Sequence, residues 1–390
     1  MSREWTERME EELQALQEQG LYRQWRQVQG RRAGRIQVES RWLIHLASND
    51  YLGLGQHPRV VARAKEAMDR FGFGAGSARL MGGTFSLHEE LEEALARFKQ
   101  AEAALVFSTG YMANLGIIPA LVGPGDLVIG DRFNHASLID ACRLSKATFR
   151  VYPHRDVERL EQVLRRRQAQ GGQALVVTEG LFSMDGDLAP LPEIVEICRR
   201  YEACLLVDDA HATGVLGSHG RGSLDHFRIP SDGILQMGTL SKALGSIGGF
   251  LAAPRVVVDF LRNKARSFVY TTALPPACAA AALEALHLVQ EEPTLRMQLR
   301  NNVKKWVLGL QGAGCRLLSN ESQIVPIHIG DAQQTMTLAR RLFEQGVYAP
   351  GIRPPTVPAG SARIRTSLTA LQSEADLDEA LEVMKKVMEQ

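Results

Sequence analysis

The chain has 390 residues, 45% of them hydrophobic and 23% charged, an ordinary globular composition long enough for two or more domains with real cores. Lys plus Arg number 45 and Asp plus Glu 44, so the net charge of +1 excludes the strongly basic surface of a nucleic-acid binder. No apolar run approaches the roughly 20 residues needed to span a bilayer, so no membrane segment is expected.

Residues 2–18 predict an amphipathic helix, with Trp5, Met9, Leu13 and Leu16 at helical spacing. Residues 1–45 read as an N-terminal helical arm, able to pack on its own domain or on a second subunit. The charged stretch Met1–Gly30 has no apolar segment of the secretory kind. The five cysteines, Cys142, Cys198, Cys204, Cys278 and Cys315, are scattered, with no CxxC pair. Neither a disulfide framework nor a metal site is expected, and a reducing cytoplasm fits.

From about residue 46 short apolar runs alternate with helical stretches. The predicted strands are Ala104–Phe107, Leu127–Ile129, Phe149–Tyr152, Ala174–Thr178, Cys204–Val207, Ile234–Met237 and Phe250–Ala252. Helices Leu87–Lys99 and Leu191–Tyr201 fall among them. Near-continuous apolar strands alternating with helices predict an α/β fold around a mainly parallel sheet, over residues 46–280. One long connecting helix is expected near 276–310. Strands Cys315–Leu318, Ile324–Ile329 and Ala362–Leu368, with helices Gln333–Glu344 and Glu374–Met388, make residues 281–390 a linker helix and a smaller α+β domain. Ser373 and Asp376 form a capping-box start for the last helix.

Ligands of open α/β sheets collect at the carboxyl ends of strands. Four predicted strand ends carry polar segments: Ser108-Thr109-Gly110-Tyr111, Thr178-Glu179-Gly180, Asp208-Asp209-Ala210-His211 and Gly238-Thr239-Leu240-Ser241-Lys242. Lys242 follows an apolar strand, so desolvation lowers its pKa and frees a neutral amine for Schiff-base chemistry. The Thr239 and Ser241 hydroxyls beside it suit phosphate oxygens. Asp208 at a strand tip suits a buried ring nitrogen, and His211, three residues on, a phenolic oxygen. These are the needs of pyridoxal 5'-phosphate (PLP), whose protonated ring acts as an electron sink. Alone, the segment 208–211 would equally suit a helix N-cap; no further ligand cluster accompanies it to make a metal site.

Gly110 and Tyr111 stand where a strand turns into a helix, whose free N–H groups bind phosphate, although an ordinary turn has the same look. His135 suits stacking on a pyridine ring or a satisfied core position. Two local matches are set aside. Gly72-Phe73-Gly74-Ala75-Gly76 lacks the dinucleotide spacing and follows no strand, and His154-Arg155-Asp156 lacks the companions of a kinase.

Together these segments resemble the α-oxoamine synthases, fold-type I PLP-dependent transferases that condense an amino acid with an acyl thioester. The matching stretches are Ser48–Leu54, Thr178–Asp187, Val207–His211 and Thr239–Ala243, and the resemblance runs through nearly the whole chain. It implies a seven-stranded, mainly parallel sheet in the large domain. Gly351–Gly360 is similar to the member that joins L-alanine to pimeloyl-CoA or pimeloyl-acyl carrier protein for biotin synthesis. Residues 72–84 also resemble a relative that joins glycine to acetyl-CoA.

By this resemblance Lys242 carries the cofactor and later moves the Cα proton. Asp208 holds the ring nitrogen, His135 stacks on the ring and His211 meets the phenolic oxygen. Gly110, Tyr111, Ser183 and Thr239 surround the cofactor. Arg365, favoured over Arg363, binds the amino-acid carboxylate with help from Asn49. Arg23 and Thr356, with His135, contact substrate. The family's homodimers share sites, so Thr271 and Thr272 are expected to reach a partner subunit's phosphate. Arg165, Arg166 and Arg167 form a basic cluster that suits a solvated helix face or an acidic carrier protein.

Overall fold

The computed structural model describes residues 3–168 and 172–389. Its first helix, Arg3–Glu18, buries no residue and leaves Trp5 and Leu13 exposed. Ser2, expected in that helix, lies outside the described residues. Beyond it the expected helical arm gives way to three antiparallel strands, β1 (Val28–Arg32), β2 (Arg35–Val38) and β3 (Arg41–His45). Among their charged residues, Ile36, Val38 and Leu43 pack in a small cluster with Phe343, while Ile44 joins the main core.

Seven strands follow: β4 (Ala103–Phe107), β5 (Leu127–Asp131), β6 (Thr148–Tyr152), β7 (Ala174–Glu179), β8 (Cys204–Asp208), β9 (Leu235–Thr239) and β10 (Gly249–Ala253). They form one sheet in the order β4-β10-β9-β8-β7-β5-β6. Only β10 runs antiparallel, pairing with β4 and β9; the other pairs are parallel. Both faces of this sheet are covered, which is why its strands are apolar at successive positions. Along β4, Ala104 and Val106 pack with helices Ser86–Lys99 and Pro276–Glu291, while Leu105 and Phe107 pack with Gly110–Leu121. That alternation is the two-residue period of a strand.

The long helix expected near 276–310 is two helices, Pro276–Glu291 and Pro293–Gly312. Pro293 has no N–H to continue the first and sits at the favoured first position of the second. Four further strands, β11 (Ile324–Gly330), β12 (Val347–Tyr348), β13 (Gly351–Ile352) and β14 (Ala362–Ser367), complete the fold. β11, β14 and β13 form a small sheet, while β12 joins β3, so the N-terminal hairpin packs with the C-terminal region. The expected strand Cys315–Leu318 is reduced to one bridge, Leu317 with Ile327. Helix Glu374–Met388 starts on the expected capping box, Ser373 with Asp376. Among the described residues, no helix is long and apolar enough to cross a membrane.

Two buried ionic clusters tie the loops at the carboxyl ends of the strands. Lys99, 1% exposed, donates to Asp209 Oδ2 at 3.0 Å and to the Arg221 carbonyl, compensating the second carboxylate of the Asp208-Asp209 pair. His154 bridges Asp131 Oδ1 at 3.0 Å and Asp187 Oδ2 at 2.9 Å, stacked on Phe133 with centroids 4.5 Å apart. Burial opposes its charge, but hydrogen bonds to the two carboxylates outweigh it and push His154 up to about 9. His154 thus clips the loop after β5 to the loop after β7.

Two outcomes follow from this packing. Trp306 is fully buried and donates its indole N–H to Thr366 Oγ1 at 2.9 Å. Trp306→Ala should cost about 3–5 kcal/mol, read from urea unfolding. His154 gains its proton more tightly in the folded state, so its stabilisation is complete below about pH 6.5 and is lost as pH rises through about 9. The stability difference between wild type and His154→Gln should therefore shrink by about 2–3 kcal/mol between pH 6 and pH 10. A pH-independent difference would rule out the charged bridge.

Candidate active site

Parallel pairing sets Glu179 at the tip of β7 opposite Asp208 at the tip of β8, and β9 beside them leads into Lys242. Asp208 is buried; its Oδ1 accepts the Ala210 N–H and its Oδ2 accepts Asn114 Nδ2, both at 2.9 Å. Asn114 is fully buried on helix Gly110–Leu121 and donates also to Ser137 Oγ at 2.9 Å. The Ser137 hydroxyl donates in turn to His135 Nδ1 at 2.8 Å, and the Ser137 N–H points to the same nitrogen. An unbroken chain of side chains therefore links Asp208 to His135. Burial lowers the His135 pKa against the opposing pull of Asp208.

Lys242 is half-buried, and among the described residues its amine has no hydrogen-bonded or ionic partner. Burial lowers its pKa to about 8, with Asp208 and Glu179 holding it up and Arg365 pushing it further down. Glu179 is buried and moves the other way, up to about 8, through burial and the repulsion of Asp208. It accepts the His135 N–H at 2.6 Å, so one carboxylate steadies the imidazole loop from behind. The Lys242 loop is knotted to β10: Thr239 donates to the Gly248 carbonyl at 2.7 Å, and Gly248 N–H donates to Ser241 Oγ at 3.1 Å.

Thr109 caps helix Gly110–Leu121 through the Met112 N–H, which leaves the N–H groups of Gly110 and Tyr111 without an acceptor among the described residues. Gly249 must be a glycine here, because a Cβ would lie 2.6 Å from the Gly110 Cα. Tyr111 is exposed, its hydroxyl bonded to Asp140 and its ring edge-on to His135 at 6.3 Å.

On the far side, His211 is buried with Nδ1 2.6 Å from the Tyr51 hydroxyl. Burial, then the cations of Lys242 and Arg365, holds its pKa well below the usual imidazole value. Arg365 is buried on β14; its Nε donates to the Ser183 carbonyl at 2.7 Å and its Nη1 to Ser367 Oγ at 2.8 Å. Arg363, on the same face, is committed to Asp185 Oδ1 at 2.6 Å. Among the described residues no carboxylate pairs with Arg365, whose side-chain bonds go to Ser183 and Ser367, a guanidinium geometry that suits an anion. Asn49 is exposed, with its Oδ1 3.2 Å from the Tyr51 hydroxyl.

Arg23 and Thr356, from opposite ends of the sequence, line one cleft of about 630 Å³ together with Arg26, Arg340 and Arg353. The cleft borders the Arg365 strand, since β13 pairs with β14 and the Arg365 N–H donates to the Pro350 carbonyl. Thr271 and Thr272 sit at the surface, with the Thr272 carbonyl accepting from Ser108 of the same chain at 2.9 Å. In the basic cluster, Arg165 lies by Glu161 and Tyr201, and Arg167 donates to the Gly125 carbonyl. Glu179 and Tyr51 fall within segments noted from the sequence, but no role was assigned there to either of them, nor to Asn114 or Ser137. Asn114 had a readable signal, as an amide in the otherwise apolar run Gly110–Leu121; the role of Tyr51 had none, because its partner is 160 residues away.

The residues present fit PLP on the structure's own terms: an unpartnered, depressed lysine amine, a buried strand-tip carboxylate and two free N–H groups at a helix start. The comparisons with known proteins agree. The aminotransferase class I and II family matches residues 41–384. An 8-amino-7-oxononanoate synthase of Geobacter sulfurreducens is 52% identical over 96% of both chains. One from Thermoanaerobacter pseudethanolicus is 44% identical over 98% of this chain and 97% of its own. Among solved structures, serine palmitoyltransferase from S. paucimobilis with bound PLP superposes with a TM-score of 0.93 at 33% identity, covering 98% of this chain and 96% of its own. The 8-amino-7-oxononanoate synthase from Francisella tularensis superposes with a TM-score of 0.77 at 30% identity, covering 89% and 98%. The chain belongs to the aminotransferase class I and II family and is a fold-type I PLP-dependent transferase.

Proposed function

We propose that this protein condenses L-alanine with a pimeloyl thioester, releasing carbon dioxide and the free thiol to give 8-amino-7-oxononanoate for biotin synthesis. The observation that carries this reading is the arginine-lined cleft uniting Arg23 and Thr356 beside the Arg365 strand. A pimeloyl group is an apolar chain ending in a carboxylate, which planar guanidinium groups suit. Identities of 44–52% over nearly full length to synthases of that name support it.

PLP, when bound, supplies a protonated ring that withdraws electrons from the amino-acid Cα. The chain's own residues do the rest. Lys242, its amine lowered to about 8, anchors the cofactor and then takes and returns the Cα proton. Asp208, fixed by Asn114 and the Ala210 N–H, keeps the ring nitrogen charged. His135 covers the ring, steadied by Ser137 and Glu179. His211 meets the phenolic oxygen. The N–H groups of Gly110 and Tyr111 take the phosphate, flanked by Thr239 and Ser183. Arg365, with Asn49, holds the alanine carboxylate, while Arg23 and Thr356 hold the acyl partner.

We further read the working form as a homodimer in which Thr271 and Thr272 of one copy reach the phosphate of the other. Phe73, Leu80, Met81 and Tyr270 are at least 61% exposed and lie on segments joined by the Ala78–Thr272 bridge. Such an apolar patch beside the site suits a second copy. Five unpaired cysteines suit a reducing cytoplasm.

The test is a parallel assay of PLP-loaded protein with products identified by mass. One arm holds L-alanine with pimeloyl-CoA or pimeloyl-acyl carrier protein, a second glycine with acetyl-CoA, a third L-serine with palmitoyl-CoA. Product in the first arm alone is expected; product mainly in another would reassign the substrate. Lys242→Ala should abolish turnover, and Arg23→Ala should raise the KM for the pimeloyl thioester about tenfold with little change for alanine.

A further inference from the structure

Tyr51 is fully buried, and its hydroxyl is the nearest polar group to His211 Nδ1, at 2.6 Å. The same hydroxyl lies 3.2 Å from Asn49 Oδ1. A phenol has one proton, and a neutral imidazole has one N–H, so only two arrangements are possible. In the first, Tyr51 donates to His211 Nδ1, and the imidazole proton sits on Nε2. In the second, Tyr51 donates to Asn49, His211 donates its Nδ1–H to the phenol oxygen, and Nε2 is bare. The two present opposite faces to the cofactor site: a donor or an acceptor.

We propose that Tyr51 is a positioning residue that donates to His211 Nδ1 and so fixes the imidazole proton on Nε2, facing the cofactor. Two observations choose this direction. The contact to His211 is the shorter by 0.6 Å (3.2 against 2.6 Å). Asn49 is exposed and water can satisfy its oxygen, whereas His211 Nδ1 is buried and has only Tyr51. The ring is held in place independently, because Gln323 Nε2 donates to the His211 carbonyl at 2.8 Å. The Tyr51 carbonyl is tied to the Ala370 N–H at 2.8 Å, so the phenol is anchored from the C-terminal side of the molecule.

An Nε2–H is what a phenolate oxygen requires of His211; a bare Nε2 would repel it. This step rests on the PLP site described under the proposed function, but the tautomer is measurable apart from it. Nitrogen-15 NMR of histidine-labelled, PLP-loaded protein should show His211 protonated on Nε2 and accepting at Nδ1, with the signal assigned by its loss in His211→Gln. Tyr51→Phe keeps the ring and removes the donor. It should abolish the Nδ1 signature, shift the absorption band of bound PLP, and lower kcat about 10–100-fold while the KM for alanine changes less than about threefold. Asn49→Ala should leave the tautomer as it is. A wild-type protein with Nδ1–H would overturn the proposal without any variant, as would an unchanged tautomer and PLP spectrum in Tyr51→Phe. An Nε2–H protein that makes no 8-amino-7-oxononanoate would leave this proposal standing and defeat the substrate assignment alone.

Discussion

One lysine and two carboxylates, Lys242, Asp208 and Glu179, crowd the tips of adjacent strands where burial penalises every charge. The lysine and one carboxylate converge for that reason: Lys242 falls to about 8 and Glu179 rises to about 8. Parallel pairing makes the crowding unavoidable, because Glu179 and Asp208 are register partners. Like charges so placed would repel; the repulsion is relieved by letting Glu179 hold a proton and by keeping Lys242 close. Asp208 is wrapped by two N–H donors. The second carboxylate of the pair, Asp209, points away and is answered by the buried Lys99. Removing that lysine would leave an uncompensated charge directly behind the site.

Most of the large sheet was legible because its strands are buried on both faces and read as apolar runs. What escaped was structure without that signature. β1 to β3 carry many charged residues and bury little, so they resembled an arm. The division of residues 276–310 was visible in Pro293, whose missing N–H ends one helix and begins another, but an apolar periodicity on both sides hid it. Cys315–Leu318 has strand composition yet makes only one bridge, Leu317 with Ile327 on the outer edge of β11.

Among site residues the same logic holds. Lys242, Asp208 and His211 were readable because strand ends place them by topology alone. The choice between Arg363 and Arg365 was not, since both share a face; Asp185 occupies Arg363, which favours Arg365 in the proposed role. Asn114, Ser137 and Tyr51 act through partners far away in sequence, and only the folded chain brings Asp208, Asn114, Ser137 and His135 into one line. His154, set aside as a motif fragment, turns out to matter through its two carboxylates.

The short loop Phe182–Asp187 shows how the two ends of the chain are made to act on one site. From the large sheet, His154 and Arg155 hold Asp187. From the C-terminal region, Arg363 holds Asp185, Arg365 holds the Ser183 carbonyl, and Ser319 and Ser322 hold the Gly186 carbonyl. Gly186 has φ 69° and would drive a Cβ to within 2.2 Å of the Ile324 carbonyl, so the loop lies directly against β11. The Arg365 guanidinium is thereby set against a loop that the His154 clip also grips. Any movement of the small sheet relative to the strand tips must pass through these contacts. The position of Arg365 is therefore a property of the joint between the two halves, not of its own strand alone.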